Sequence, residues 1–242
     1  MSKIIFATGC DSHYFQPWLQ LYTSIKLYIP NSIVYFYDLG LTQEQVDYIQ
    51  NTDINYNYFD FSKYPEWVNV NNDAGQWAWK PQIIKSVMDR YEIVTNENQY
   101  LIWCDARNQL DCSLDVIIDF IEKNGIYTNT TDGNVARWTV KETIEYLDGM
   151  KYIDMPMRNA ALPCFNINID WVRNFINEYA ELSLIKDCIF PLGSSRMNHR
   201  QDQSVLTLLY YKYKDKYLFD DSDFYAGIRV HTGHFITRPY HY

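Results

Sequence analysis

The sequence predicts an α/β fold with a mostly parallel central sheet flanked by helices, and two observations carry the prediction. Residues 3–61 alternate apolar β-forming runs with amphipathic ones in the order strand, helix, strand, helix, strand, the order that builds a parallel sheet. Further on, Tyr100–Cys104 is a run of β-formers without a polar break, as expected of a strand buried on both faces. No linker, repeat or low-complexity segment interrupts the 242 residues, so residues 1–242 are expected to form a single domain.

The elements follow in order. Lys3–Thr8 reads as a buried first strand that breaks at Gly9-Cys-Asp-Ser-His-Tyr14. Pro17 suits the first turn of a helix whose Trp18, Leu21, Tyr22 and Ile25 recur at helical spacing. Ile33–Asp38 is the second strand, and Thr42-Gln-Glu-Gln45 is a capping box opening a short helix. Ile54–Phe61 is the third strand, followed by a polar and aromatic loop from Ser62 to Trp77, long enough to suggest function. Trp79–Met88 forms a helix with Pro81 at its start and Ile84, Val87 and Met88 inward. After the strand at Tyr100, Ser113–Lys123 is an amphipathic helix stopped by Asn124-Gly125. Thr139-Val-Lys-Glu142 reads as a second capping box, with its helix ending near Gly149. Residues 150–163 read as a loop, Cys164–Ile169 as a strand, and Asp170 as the cap of a helix carrying Trp171, Phe175 and Tyr179.

Composition narrows the function classes. Hydrophobic residues make up 47% and charged residues 21% of the chain, as in an ordered globular protein. A formal net charge of −9 and the lack of any Lys/Arg run argue against nucleic acid as a partner. The five cysteines are scattered without a Cys-x-x-Cys, so neither a zinc site nor a disulfide scaffold is indicated, and buried thiols in a reducing compartment are the simplest reading. The N-terminus enters a strand without a leader pattern, and no apolar run approaches transmembrane length. A cytoplasmic location is the expectation. Aromatics reach 17%, compatible with sugar- or base-facing surfaces but equally with compositional bias.

Four places hold residues that could do chemistry. Asp105 ends the buried strand, where open α/β sheets bind ligands; it could also simply open a turn or cap the next helix. Lys80 lies at a helix N-terminus, where the dipole favours anions, so it is either solvated or helps hold an anion. Asp202 precedes Val205 and Leu206 by three and four residues and so shares their inward face. With His199, Arg200 and Gln203 beside it, Asp202 is either a plain N-terminal acid or part of a site. Finally, Val230–Tyr242 contains His231, a glycine and Arg238 beside Pro239.

Taken together these stretches resemble the GT-A-fold nucleotide-sugar glycosyltransferases, especially the glycogenin and lipopolysaccharide galactosyltransferase group. Ala7-Thr-Gly-Cys-Asp11 with Tyr14 resembles that group's nucleotide-binding opening. Leu101–Asp105 resembles the strand leading to its Asp-x-Asp metal motif, and Asp202-Gln203 its Asp-Gln pair. His231-Thr-Gly-His-Phe-Ile-Thr-Arg-Pro-Tyr240 is similar to a C-terminal His-x-x-Gly-x-x-Lys-Pro-Trp motif with shifted spacing, Arg and Tyr replacing Lys and Trp. The resemblance implies a Rossmann-like GT-A sheet and transfer of a sugar from a UDP- or GDP-linked donor to a hydroxyl of a glycan, protein or small-molecule acceptor. It implies donor contacts at Thr8, Gly9, Asp11, Tyr14, Lys80, Asp105, Arg107 and Arg238, and catalytic roles for Asp202 and Gln203. His199 and Arg200 are expected on the acceptor side, and Asp105 and His231 on Mn²⁺ or Mg²⁺.

One departure matters: Arg107 stands where the motif has its second aspartate. A metal held by Asp105 and His231 alone, an arginine that binds phosphate in place of the metal, and a non-catalytic nucleotide- or sugar-binding or scaffolding relative are the three outcomes. A nucleotide-dependent dehydrogenase is disfavoured, because no Gly-x-Gly-x-x-Gly follows the first strand.

Overall fold

The computed structural model describes residues 2–94, 97–224 and 227–231. The first half alternates as predicted: β1 (Lys3–Cys10), α1 (Phe15–Tyr28), β2 (Ile33–Asp38), α2 (Gln43–Gln50), β3 (Asn55–Tyr58), α3 (Trp79–Met88) and β4 (Gln99–Trp103). Then come β5 (Gln109–Leu110), α4 (Asp115–Asn124), β6 (Ile126–Tyr127), β7 (Thr130–Asn134), α5 (Val135–Trp138) and α6 (Lys141–Tyr146). The described residues end with β8 (Pro156–Arg158), β9 (Cys164–Asn166), α7 (Asp170–Leu182), α8 (Lys186–Ile189), α9 (Gln201–Tyr217) and β10 (Ile228–Arg229).

The main sheet has six strands in the order β3-β2-β1-β4-β9-β6. The first four are mutually parallel, and β9 runs antiparallel to both β4 and β6. Because β1 leads outward to β2 and β3 while β4 lies on its other side, the strand order reverses between β1 and β4. Loops leaving the C-terminal ends of those two strands therefore diverge and leave a crevice, the usual ligand position in open α/β sheets. Strand alternation sorts the core onto two faces. Ile5, Ala7, Leu101 and Trp103 pack with α3, α7 and α9, while Phe6, Tyr100 and Ile102 pack with α1 and α4.

The local signals explain most elements. Trp18, Leu21 and Ile25 are the buried stripe of α1. The Thr42–Gln45 capping box is closed in both directions. Gly125, at φ 78°, ends α4 in a conformation that disfavours any residue with a Cβ.

Several expectations are corrected. The first strand does not break at Gly9 but continues to Cys10, because Gly9 pairs with Tyr37 of β2. A Cβ on Gly9 would lie 2.7 Å from the Tyr37 carbonyl, so the glycine serves a close approach within the strand rather than a turn. The third strand is shorter than Ile54–Phe61, and β9 ends at Asn166 rather than at Ile169. Residues 150–163 are not all loop, since they contain β8, paired with β7. No capping box forms at Thr139: its hydroxyl turns inward to Ser204 Oγ at 3.0 Å, and α6 starts after Val140 without a side-chain cap. Asp170 is the first residue of α7 rather than its cap.

The loop after β3 has an unusual course. Asp73, Ala74, Gly75, Gln76 and Trp77 all have positive φ, between 50° and 59°, and form a left-handed turn. Each L-residue there costs roughly 1–2 kcal/mol, so the turn needs outside support. Trp79 Nε1 donates to the Ala74 carbonyl at 2.9 Å, and Arg196 pairs with Asp73 at 2.7 Å. Gly75 is indispensable, because a Cβ would fall 2.0 Å from the Val68 carbonyl oxygen.

Candidate active site

Alternation along β4 dictates where Asp105 goes. Leu101 and Trp103 face α3 and α9, and Asp105, two residues beyond Trp103, stays on that side. Trp103 Nε1 donates to Asp105 Oδ1 at 2.6 Å. Lys80, in the first turn of α3, extends under the same strand end, 4% exposed. Asp202, in the first turn of α9, comes from the other side, 6% exposed. The Lys80 ammonium lies 3.1 Å from Asp105 Oδ1 and 3.1 Å from Asp202 Oδ2, and donates to the Ala160 carbonyl at 3.2 Å. All three ammonium protons thus have acceptors. Lys80 is therefore neither solvated nor waiting for an outside anion: two carboxylates of the chain already hold it.

The electrostatics divide the two acids. Burial opposes ionisation of Asp105, but the Lys80 charge, the His231 ring and the Trp103 N–H outweigh it and hold this carboxyl well below the usual range. Asp202 is pushed up to about 6, mainly by burial, with Asp105 adding to the shift and Lys80 opposing it. Its other described contacts are a backbone hydrogen bond from Gln203, which also opposes the shift, and a weak one from the Tyr179 hydroxyl at 3.4 Å. Burial works against the Lys80 charge, yet the two carboxylates raise its pKa above the ordinary lysine value.

His231 closes the cluster. Its Nε2 lies 3.0 Å from Asp105 Oδ2. Its backbone N–H donates to Asn108 Oδ1 at 3.2 Å, and its carbonyl accepts from Arg107 Nη2 at 3.2 Å. Asn108 is buried and also donates from Nδ2 to the Ala161 carbonyl at 2.7 Å. The turn after β4 thus fixes the backbone at His231, whose own φ is 56°. Among the described residues no group of three or more His, Cys, Asp and Glu side chains could hold a metal ion. Asp105 and His231 remain as a pair.

A cleft of about 460 Å³ lies over this cluster, within the range of small-molecule sites. Of the residues singled out in the sequence, Gly9, Asp11, Tyr14, Lys80, Asp105, Arg107, Arg200, Asp202, Gln203 and His231 all line it. Its far wall is the left-handed turn, through Ala74 and Trp77. One carboxylate oxygen of Asp11 is used locally, accepting from the His13 and Tyr14 amides at 3.1 Å. Gln203 Nε2 donates to Thr131 Oγ1 at 3.1 Å.

Two expected contacts are not brought to the cleft. Thr8 is fully buried inside β1, two residues short of the strand end at Cys10, and its hydroxyl has no hydrogen-bond partner among the described residues. His199 is also fully buried, Nε2 lying 2.8 Å from the Ile189 carbonyl and Nδ1 accepting from the Val140 amide at 3.4 Å. Burial depresses its pKa to about 4, so it is a neutral structural ring rather than an acceptor contact. Arg238 lies outside the described residues. Sequence reasoning missed Trp103, Asn108 and Gln201. Alternation could have found Trp103, which shares a face with Asp105. Gln201 has a φ of 36°, is 3% exposed, lines the cleft, and its Nε2 has no hydrogen-bond partner among the described residues.

Comparison with known proteins adds to this geometry. Residues 1–85 match a family model described as "Protein of unknown function (DUF1647)". No curated protein matches the chain. Among solved structures, the bifunctional glycosyltransferase WbbM is similar at 13% identity and a TM-score of 0.54, over 87% of this chain and 38% of WbbM. The galactosyltransferase LgtC, solved with donor and acceptor sugar analogs, is similar at 13% identity and a TM-score of 0.52, over 93% of this chain and 85% of LgtC. The mannosyltransferase Ktr4p of S. cerevisiae, solved with GDP, is similar at 9% identity and a TM-score of 0.56, over 86% of this chain and 66% of Ktr4p. The chain thus spans well under half of WbbM and about two thirds of Ktr4p. At these identities the likeness is one of fold: the chain has the GT-A-like fold of glycosyltransferases. No helix among the described residues is long and apolar enough to cross a membrane.

Proposed function

We propose that this chain is a glycosyltransferase that moves a sugar from a UDP- or GDP-linked donor to an acceptor hydroxyl. The observation that carries the reading is Lys80, 3.1 Å from both Asp105 and Asp202 on the floor of a cleft at the sheet's reversal point. Residues 80, 105, 202 and 231 come from four separate parts of the chain, and convergence of perturbed charges in a cleft is typical of chemistry. The fold shared with LgtC, a galactosyltransferase, and with Ktr4p, a mannosyltransferase, supports the reaction class.

The donor diphosphate belongs beside Asp105, Arg107 and His231, with the nucleoside toward Gly9, Asp11 and Tyr14 at the end of β1. Asp105 carries one negative charge and Lys80 offsets it, so the cluster itself supplies little net positive charge for a diphosphate. A divalent cation or Arg107 must add it. Asp105 Oδ2 and His231 Nε2, which lie 3.0 Å apart on the cleft, are a carboxylate oxygen and an imidazole nitrogen of the kinds that Mn²⁺ accepts. These two residues would hold the cation, which when bound neutralises charge on the departing diphosphate. Arg107 supplies a guanidinium suited to a phosphate oxygen.

Asp202 serves the acceptor. With a pKa of about 6 it is mostly ionised at neutral pH, yet basic enough to take a proton. In a transfer with inversion, Asp202 Oδ accepts the acceptor hydroxyl's proton as that oxygen bonds to the anomeric carbon. The bond from that carbon to the phosphate oxygen breaks, and the diphosphate leaves with the electron pair. In a transfer with retention, Asp202 and Gln203 instead position donor and acceptor on one face. A second reading rests on Arg107: with one carboxylate of the metal motif gone, the chain would bind nucleotide sugar without transferring it.

Titrating UDP and GDP into wild type, Asp105→Ala and Arg107→Ala, each with Mn²⁺ and with EDTA, tests the donor site. Metal-dependent binding lost in Asp105→Ala supports the metal pair. Binding that ignores EDTA and collapses in Arg107→Ala assigns the charge to the arginine, and no nucleotide binding in wild type refutes the donor site.

A further inference from the structure

Beyond Asp202, Arg200 on the cleft wall shares the Trp138 ring with Arg137, which lines a second hollow. Arg200, which lines the cleft, lies with its guanidinium carbon 3.7 Å from the centroid of the Trp138 ring. Arg137 lies over the same ring at 5.0 Å. Two like charges on one indole repel each other, and both burial and Arg137 weigh against the charge on Arg200. Neither arginine has an ion pair among the described residues, and the face of the Trp138 ring is what offsets the charge on Arg200. The hydrogen bond of Arg200 is to the Arg196 carbonyl, at 2.7 Å. Glu142 lines the adjoining hollow with Arg137 but pairs with neither arginine among the described residues. Arg196, by contrast, is paired with Asp73.

A further feature suits this end of the cleft to an oxygen-rich anion. Arg196 also covers Trp77, at 4.8 Å from the ring centroid, so aromatic rings and guanidiniums alternate along the rim. Such a rim can offer a sugar an apolar face and place charged donors against a substituent on it. For a chain of net charge −9, local cations of this kind are what would admit an anion.

We propose that the acceptor is an anionic sugar, a phosphate- or carboxylate-bearing saccharide whose charged group is held by Arg137 and Arg200 at the Trp138 ring. The inference rests on the glycosyltransferase reading and narrows its acceptor. Arg200 precedes Asp202 by two residues and Gln203 by three at the start of α9. An anion on Arg200 therefore sets the rest of the acceptor close to Asp202, the group that would receive its proton.

The test uses the full chain and three probes: glucose 6-phosphate, glucuronate and neutral glucose, each titrated with and without saturating nucleoside diphosphate. Melting of wild type with UDP or GDP is read first, because that shift depends on the donor reading alone. The proposal expects one or both anionic sugars to bind at least tenfold more tightly than glucose, and not to be displaced by the nucleotide. Phosphate and carboxylate are told apart by which probe binds. Arg137→Ala, at an exposed position where folding is not at risk, should weaken that binding about tenfold, and Arg137→Glu should weaken it more. Equal affinity for glucose, no binding of any probe, displacement by nucleotide, or binding indifferent to both substitutions overturns the proposal. Anion binding that survives while no nucleotide shifts melting would overturn the glycosyltransferase reading and, with it, the acceptor role, while leaving an anion site.

Discussion

Replacing Lys80 by methionine isolates the interaction on which the cluster depends. The side chain keeps its bulk but loses the ammonium that lies 3.1 Å from Asp105 and Asp202. Removing one partner of a buried ion pair typically costs about 3–5 kcal/mol, because the remaining charge is left uncompensated. The two acids will not suffer equally. Asp105 keeps Trp103 Nε1 at 2.6 Å and His231 at 3.0 Å, whereas Asp202 keeps the Gln203 backbone N–H and a Tyr179 hydroxyl at 3.4 Å. Asp202 is therefore the group that takes up a proton, its pKa rising further from about 6. The sign follows from linkage. A carboxyl whose folded pKa exceeds its unfolded one contributes stability below the unfolded pKa, and this is lost as pH rises through the folded pKa. Wild type stops losing stability from Asp202 above about pH 6, while Lys80→Met continues to lose about 1.4 kcal/mol per pH unit until its own higher pKa is passed. Between pH 6 and pH 8 the deficit of the variant should widen by up to about 2.7 kcal/mol. Near pH 8, a loss of 3–5 kcal/mol corresponds to roughly 6–20 °C in melting temperature for a chain of this size. Urea denaturation of both proteins at pH 5.5, 7 and 8 measures this. A deficit below about 1 kcal/mol, or one independent of pH, would refute the bridging role of Lys80.

Other substitutions probe the supports of the site. Trp103→Phe removes the indole N–H from Asp105 and should cost about 1–3 kcal/mol in urea denaturation, with weaker metal-dependent nucleotide binding; an unchanged midpoint would mean that the 2.6 Å contact contributes nothing. Gly75→Ala forces a Cβ to within 2.0 Å of the Val68 carbonyl at φ 59°, so it should destabilise by more than about 1 kcal/mol and blunt nucleotide binding at the cleft wall; wild-type stability would show that the left-handed turn is not formed. His199 has a folded pKa of about 4, below the usual value of 6.5, so its contribution is complete above pH 6.5 and is lost as pH falls toward 4, by up to about 3 kcal/mol. The urea midpoint of wild type should accordingly drop more than that of His199→Gln between pH 7 and pH 5, with acceptor KM unmoved at pH 7.5.

The parts legible in the sequence were those set by local pattern. The parallel half of the sheet followed from apolar runs separated by helical spacing, and Asp105 stood out because a charge ended a run with no polar break. Pairing across long separations left no local trace. That Lys80 would lie between Asp105 and Asp202, 25 and 122 positions away along the chain, depends on α3 and α9 packing against one face of β4. The antiparallel entry of β9 is equally silent, because a three-residue strand carries no pattern that tells its direction. Two local signals misled. Gly9 looked like a strand break but serves the approach of β1 to β2, and Thr139 matched a capping box although its hydroxyl is used inside the core by Ser204. His199, adjacent to candidate residues in sequence, is turned away from the cleft by backbone partners at Ile189 and Val140. Asn108 carried no pattern at all, and its role emerges only where it holds the backbone of His231.

The central claim is that this cleft breaks the bond between a sugar and a nucleoside diphosphate, with Asp202 at the acceptor side. Its most direct measurement follows phosphorus-31 resonances of UDP- and GDP-linked sugars incubated with Mn²⁺ and a mixture of anionic and neutral saccharides, for wild type and for Asp202→Asn. The account predicts release of free nucleoside diphosphate by wild type, slower by about 10²–10⁴-fold in Asp202→Asn, with nucleotide affinity preserved in the variant. Release undiminished in Asp202→Asn, or nucleotide sugars that bind wild type yet remain intact with every acceptor, would contradict it.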